Sequence, residues 1–579
     1  MLFLKRIAKI DEFLAETKAA FLIFLSVRQT FYFLLLLIVS YLNAQSTDIP
    51  LNFPAYKLLS EWDVKSEKGV FTSDKPISRR VFNQAANDAE WMKSRSDQFN
   101  KEYVLMETRE YEDTVELSQK SIFGKFYKYP SDMYSAQVKD FDLHVNPIVV
   151  LAAGKDMNGS QEELLYENYR GLELRGTIDE KFSFYTLLTE NQARYPEYAQ
   201  AVIDSTLGVP YEGFWKQYDM TAVDFLRAQA YVDFNATKHL EVQFGYGKHF
   251  IGDGKRSLIL SDYGNNYPYL RLKTQVWKIQ YTNIFAQLIA QTKGGDYGLL
   301  GVGAFPKKAF ANHHLSVQIK PNLTIGLFES IILGDSSGTN SPGIFIPIIF
   351  YKAMEQQDGS GGNTLIGADF KWNLWKTLSL YGQLVIDEMV VSEVFGNSDW
   401  WGNKQGFQLG AKYFDALGVQ NLNVQLELNK VRPYVYSHES HFTNYSHYNM
   451  AMAHPLGANF REIIASVNYQ PIPKLTLQAD LLFAKYGNDS DSSSWGRDIT
   501  KGYGLDNRPQ DHDYGNDMFQ GETTDLMMIQ AKASYMIKHN LFLELNSTIR
   551  NEQSDVRENS TMVFGTALRW NFPYRSYLF

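Results

Sequence analysis

The chain has 579 residues, a formal net charge of −9 and no cysteine. This excludes a disulfide framework, a thiolate metal site, a cysteine nucleophile and a lipid-modified cysteine anchor, and it leaves no overall basic footprint for nucleic acid. A hydrophobic fraction of 44% with a mean hydropathy of −0.30 argues against a helical membrane protein, because no span beyond the N-terminal region holds about 18 apolar residues.

At the N-terminus Arg28 precedes the apolar run Phe31 to Val39, followed by the small-residue exit Asn43-Ala44-Gln45. This pattern reads as an export signal, 1–44, cleaved after Ala44. Residues 45–140 form a second unit. Within it Lys75 to Gln119 is charged and poor in glycine, with Val81, Ala85, Ala89 and Met92 at near-helical spacing. A small, partly helical periplasmic segment is expected here, either plugging a barrel or serving as a linker.

Past residue 140 apolar and polar residues alternate. From Asn421 to Asn429, Leu422, Val424, Leu426 and Leu428 share one face and Asn423, Gln425, Glu427 and Asn429 the other. A period of two suits a strand with lipid on one side and water on the other. A soluble sandwich also alternates, so the turns decide. Thr237-Lys238-His239, Lys320-Pro321-Asn322, Gln470-Pro471-Ile472-Pro473 and Lys538-His539-Asn540 are brief, whereas connections such as Gly487 to Gly521 are long. Short turns at one end and long loops at the other are the layout of an outer-membrane barrel.

Strands are expected near 141–153, 166–177, 181–190, 222–235, 239–248, 267–274, 276–290, 311–319, 323–332, 363–373, 377–388, 406–414, 421–430, 459–469, 474–486, 524–537, 541–550 and 561–572. The expected fold is therefore an all-β, antiparallel transmembrane barrel of about 18 strands over 141–579, with both chain ends periplasmic. The end Tyr577-Leu578-Phe579 partly resembles the terminal signal read by barrel-assembly machinery, with Pro573 interrupting the alternation.

The most distinctive long connection follows Gly247. Asp253-Gly254 is a turn signal, and Lys248, Arg256, Asp262, Tyr263, Asn265, Asn266 and Tyr267 supply charges, amides and aromatic faces of the type that binds sugars. Composition alone favours a self-packed, salt-bridged loop instead. His438, His441, His447 and His454 match no zinc spacing. Asp489-x-Asp491-x-Ser493 starts like a calcium loop but has Ser494 where that loop needs glycine. Trp400-Trp401 reads as a sugar-stacking platform or an interfacial anchor. No strained GxSxG elbow or paired-carboxylate cleft stands out, so no enzyme is expected.

The stretch from Gly247 to Asp262, with Asn265-Asn266-Tyr267-Pro268, resembles the capsule-assembly Wzi family. Together with Tyr445-Ser446-His447-Tyr448-Asn449 and His454-Pro455-Leu456-Gly457-Ala458-Asn459-Phe460, it resembles the Bacteroidetes branch that includes the gliding-motility protein RemB. The resemblance implies an eighteen-strand outer-membrane barrel with a periplasmic helical portion and lectin-like binding of capsular polysaccharide, or a part in gliding.

The resulting expectation is a non-enzymatic barrel without cofactor or metal. Its partners would be surface or capsular polysaccharide, outer-membrane lipid and gliding or surface-assembly proteins. The candidate ligand-binding residues are Lys248, Asp253, Arg256, Asp262, Asn265, Asn266, Tyr267, Trp400, Trp401, His447, Asn449 and His454. The competing readings are a diffusion channel and a protein-binding component of a motility assembly.

Overall fold

The structure, a computed structural model, describes residues 46–579 apart from 90, 92–93, 113–120, 160–162, 180, 220, 292–304, 335–341, 348–349, 354–361, 396–398, 491, 505–506, 510–511 and 576. The expected export signal, Met92 and the end of the charged stretch, 113–119, thus lie outside the described residues.

Eighteen long antiparallel strands close a barrel. The first nine are β1 (Phe141–Asp156), β2 (Leu165–Ile178), β3 (Phe182–Arg194), β4 (Ala222–Thr237), β5 (Leu240–Gly247), β6 (Tyr267–Val276), β7 (Ile279–Ile289), β8 (Lys307–Lys320) and β9 (Leu323–Leu333). The rest are β10 (Asn363–Leu374), β11 (Leu378–Glu388), β12 (Lys404–Tyr413), β13 (Leu422–Val431), β14 (Phe460–Ile472), β15 (Leu475–Asn488), β16 (Glu522–Lys538), β17 (Leu541–Ser554) and β18 (Glu558–Trp570). Each pairs with its neighbour in sequence, and β18 returns to β1 with Leu568 opposite Leu151 and Gly565 opposite Gly154. Closure removes every free edge from the bilayer, which a membrane-spanning sheet requires. Two short accessory strands, Tyr134–Val138 and Lys216–Asp219, extend the rim against β1 and β4.

Every expected strand has its counterpart, and the reason is the burial pattern. On β13 Leu426 is 55% exposed while Glu427 is fully buried. On β12 Phe407 and Leu409 face out while Gln408 faces in. This inside-out arrangement is stable only with hydrocarbon around the barrel, where a lysine or arginine at mid-depth would cost about 2–4 kcal/mol. Trp277 and Trp375 stand exposed in the two-strand turns at the short-turn end, as interfacial aromatics do. Among the described residues no helix is long and apolar enough to cross a membrane.

The lumen is filled. From the short-turn end it takes helices α1 (Ala55–Ser66), α2 (Arg79–Asn87) and α3 (Arg95–Glu107). The expected single helical stretch is in fact α2 and α3 separated by a break, with α1 lying before it. The break ends at a capping box, in which Ser94 Oγ accepts from Asp97 N at 3.0 Å and Asp97 Oδ2 from Ser94 N at 3.1 Å.

Polar bonds fasten this segment around the wall. Lys371 Nζ donates to Asp63 Oδ2 at 2.7 Å, and Arg271 Nη2 to Asp48 Oδ2 at 3.0 Å. His314 bridges Asp74 at 2.7 Å and Asp369 at 2.6 Å. At the turn between β16 and β17, Glu107 meets His539 at 2.7 Å and Asn540 at 2.8 Å.

From the long-loop end the connections 248–266 and 432–459 turn inward and bury Ile251, Leu258, Ile259, Leu260, Tyr436 and Tyr445 in one apolar cluster. The first of these loops reaches the helical segment, where Phe250–Ile251 pairs antiparallel with Asp74–Lys75. The C-terminal end is also inside. Phe579, 4% exposed, lies nine positions beyond the last residue of β18 and packs on Tyr198 and Tyr263. It therefore does not end the last strand, as the terminal-signal reading would require.

Candidate functional site

At the long-loop mouth two connections that are far apart in sequence meet. Trp401 N donates to Asp513 O at 3.0 Å, and Asn516 N to Asp399 O at 2.9 Å. The contact assembles an aromatic cluster. Trp400 and Trp401 rings lie 5.8 Å apart, and Trp401 lies 4.9 Å from Tyr503 and 6.1 Å from Tyr434. The Arg508 guanidinium sits 4.0 Å from the Trp401 ring centre, and Lys404 Nζ 3.8 Å from that of Tyr503.

Arg508 is held by Asp513 at 2.9 Å, and Lys404 by Glu388 at 3.1 Å. Burial, with Lys404 and Lys352 nearby, lowers the His438 imidazole to about 4, so its ring against Tyr503 is neutral at physiological pH. Trp400, Trp401 and Tyr503 keep part of their surface in water. Partly exposed indoles and a phenol, backed by the buried Lys404 and Arg508 cations, offer planar apolar faces and ring-edge donors, the chemistry that suits a pyranose.

The structure separates the other sequence candidates from this platform. Lys248 is buried, and its Nζ caps the carbonyls of Tyr211 at 2.6 Å, Gly264 at 2.9 Å and Asp262 at 3.1 Å. Burial, reinforced by Arg227, lowers its ammonium to about 7. Asp253 accepts from Thr72 Oγ1 at 2.5 Å. Burial would raise the Asp253 carboxyl, but Lys371, Lys75 and Lys412 outweigh it and hold it below the usual range. The Arg256 backbone N–H donates to Glu427 at 3.0 Å, and its guanidinium to Glu462 at 2.9 Å. Asp262 accepts from Asn52 at 2.6 Å.

Asn266 N donates to Asn265 Oδ1 at 2.7 Å, and Asn266 Nδ2 to Ala228 O at 2.7 Å. Tyr267 meets His249 at 3.2 Å. His447 accepts from Ile289 N at 2.9 Å, Asn449 donates to Thr206 O at 3.0 Å, and His454 pairs with Glu462 at 2.8 Å. The connection after Gly247 is therefore not an external loop. It is the self-packed, salt-bridged structure its composition favours, folded into the lumen because its charges find their partners on the inner wall. Of the calcium-like start, Asp491 lies outside the described residues, and Asp489 accepts from Asp498 N at 2.7 Å.

Four of these residues, Lys248, Asp253, Arg256 and Asp262, do share one feature, for they line an internal cavity of about 450 Å³. It lies between the helical segment, the inward loop and the inner faces of β12 to β16, and Lys57, Lys412 and Lys532 also line it. Sequence reasoning missed Lys57, Lys532, Tyr503 and Arg508. Lys532 was legible as an inward polar position of β16, but Lys57 and Tyr503 reach their neighbours only through contacts that no local pattern announces.

These features define a class, a membrane β-barrel closed from within whose long-loop mouth carries an aromatic and cationic platform. The family model described as Capsule assembly protein Wzi matches residues 156–562, and the chain belongs to that family. No curated protein matches the chain by sequence.

Among solved structures, the chain is similar to Wzi of Escherichia coli, described as an outer-membrane protein involved in group 1 capsule assembly and a carbohydrate-binding β-barrel. The match covers 92% of this chain and 100% of that one, at 15% identity and a TM-score of 0.56. OprD of Pseudomonas aeruginosa matches over 75% of this chain and 97% of its own, at 12% identity and a TM-score of 0.40. OccAB2 of Acinetobacter baumannii matches over 74% and 98%, at 9% identity and 0.40. At that distance the last two carry no argument.

Proposed function

We propose that this protein sits in the bacterial outer membrane with its long loops outward, the N-terminal segment entering from the periplasmic side and the C-terminal residues folding back from the end of β18 into the lumen, and that it holds surface polysaccharide at the cell face without transforming it. The observation that carries this is the partly exposed platform of Trp400, Trp401 and Tyr503, mounted on a barrel whose lumen is plugged around one cavity. A diffusion channel needs an open lumen, and here two inward loops and three helices occupy it. Family membership and the carbohydrate binding described for Escherichia coli Wzi support the same reading.

Each stacking contact is weak, so useful affinity requires several sugar units engaged at once. The finer assignment, to the RemB-containing branch with a part in gliding and contacts to surface-assembly proteins, rests on the stretches 247–268 and 445–460. Under this proposal residues 1–44 are the export signal, and the segment 45–140 enters from the periplasmic side as the plug of the barrel.

Deletion of the gene in its host tests the reading. Surface polysaccharide should shift from the cell-attached to the released fraction with its total amount unchanged. Unchanged attachment would contradict the proposal.

A further inference from the structure

The internal cavity has a charge imbalance that the packing of the barrel does not use. Of the cations on its wall, Lys255 is paired with Asp480, Arg256 with Glu462 and Arg569 with Glu544. Lys57, Lys412 and Lys532 have no carboxylate within salt-bridge distance among the described residues. Lys57 Nζ donates only to the neutral amide oxygens of Asn468 at 2.7 Å and Gln478 at 2.9 Å, and Lys412 Nζ to Ser60 Oγ at 3.1 Å. Lys532 Nζ faces the ring of Tyr574. An ammonium that borders a confined space and has no salt-bridge partner can form charge-assisted hydrogen bonds to an anion placed there.

Lys57 keeps more than a third of its surface open although it lies among the walls of the lumen, so it borders the cavity rather than packed protein. The cavity also matches a ligand in size and character. At about 450 Å³ it falls within the roughly 300–1,000 Å³ of small-ligand pockets. Aromatic faces from Tyr263, Tyr574 and Phe542 stand beside the hydrogen-bonding amides of Asn423, Gln425 and Asn468. Apolar planes, amides and unpaired ammonium groups around one space are what a sugar ring bearing an acidic group requires.

We propose that the lumen cavity binds the anionic group of an acidic glycan unit, a carboxylate or a phosphate, between Lys57 and Lys532. This rests on the polysaccharide-holding reading above and names the chemistry of the sugar it selects. Lys57 and Lys532 neutralise the anion, the amides take the ring hydroxyls, and Tyr263 and Phe542 cover the apolar face of the ring.

The test is calorimetry on the full-length, detergent-solubilised protein with three probes: tetragalacturonate, inorganic phosphate and neutral maltotetraose. Host surface polysaccharide is titrated in parallel. Wild type should bind tetragalacturonate in a salt-sensitive manner and fail to bind maltotetraose. Lys57→Gln/Lys532→Gln should weaken that binding by at least about tenfold, as loss of two charge-assisted bonds implies, and Lys57→Arg/Lys532→Arg should restore it. Heat-modifiable electrophoretic mobility checks that each variant is folded.

Binding of phosphate but not tetragalacturonate, with the same lysine dependence, also supports the site and assigns it to phosphate-bearing units. Failure of both anions to bind, or equal binding by the glutamine variant, overturns the inference. If host polysaccharide still binds in that case, the surface reading stands and only the cavity assignment falls. If it does not bind either, both fall.

Discussion

Arg256 and Glu462, 206 positions apart in sequence, form a buried ion pair of 2.9 Å between the inward loop and the barrel wall. Glu462 also accepts from His454 of the second inward loop and from Asn429 of β13 at 3.0 Å. One carboxylate thereby ties both lumen-filling loops to the wall. Arg256→Ala leaves that carboxylate short of its guanidinium, and breaking such a pair costs about 3–5 kcal/mol. Thermal unfolding in detergent should show a lower midpoint for the variant, and a loss of sugar binding by this variant would report a loosened lumen rather than a deleted contact. An unchanged midpoint would refute the structural role.

Gly252 adopts φ +138°, and a Cβ there would come 2.4 Å from Gln383 Nε2. Gln383 in turn accepts from Leu258 N at 2.7 Å and donates to Ile251 O at 2.9 Å. Gly252→Ala therefore strains the backbone and displaces the amide that holds the loop. A destabilisation of about 1–3 kcal/mol is expected. Protease nicking within 248–266 should become faster, and wild-type resistance would contradict this.

Glu107 fastens α3 to the short-turn end. Burial opposes its charge, but His539, Arg79 and Arg175 outweigh burial and hold its carboxyl at about 2, below the roughly 4.3 of an unfolded glutamate. A depressed carboxyl contributes stability above its unfolded value and loses it as pH falls through the folded one. The contribution, about 3 kcal/mol, is full above about pH 5 and fades between about pH 4 and pH 2. The stability gap between wild type and Glu107→Gln, followed by urea-dependent proteolysis of the helical segment, should narrow as pH is lowered. A constant gap would remove Glu107 from this role.

Asp63 accepts from both Lys371 at 2.7 Å and Asn373 at 2.8 Å, anchoring α1 to β10. Wild-type protein in planar bilayers should give no stable conductance steps. Asp63→Ala, which leaves Lys371 without this carboxylate, should give irregular brief openings. Large uniform steps from wild type would instead restore the diffusion-channel reading.

The barrel was legible because a lipid surround imposes strict alternation on every strand, visible in nine-residue windows such as Asn421 to Asn429. The direction of the loop after Gly247 was not. Its partners Glu427, Glu462 and Leu578 lie 171, 206 and 322 positions away, and the same lysines, aspartates and amides serve an exposed sugar site or a buried network equally well. Trp400 and Trp401 stood out as a pair, but Tyr503 and Arg508, which complete their surroundings, belong to a different long loop. Helix α1 was missed because its twelve residues mix Tyr, Lys, Ser, Glu and Asp among the apolar positions, and its buried face includes Glu61 and Asp63.

The central claim is that the long-loop mouth holds surface polysaccharide, and its most direct test is titration of the detergent-solubilised protein with polysaccharide from its own host, wild type against Trp400→Ala/Trp401→Ala. Stacking on two indoles is worth about 1–3 kcal/mol in all, so the variant should bind about five- to a hundredfold more weakly while melting like wild type. Equal binding by both proteins, or none by either, would contradict the account.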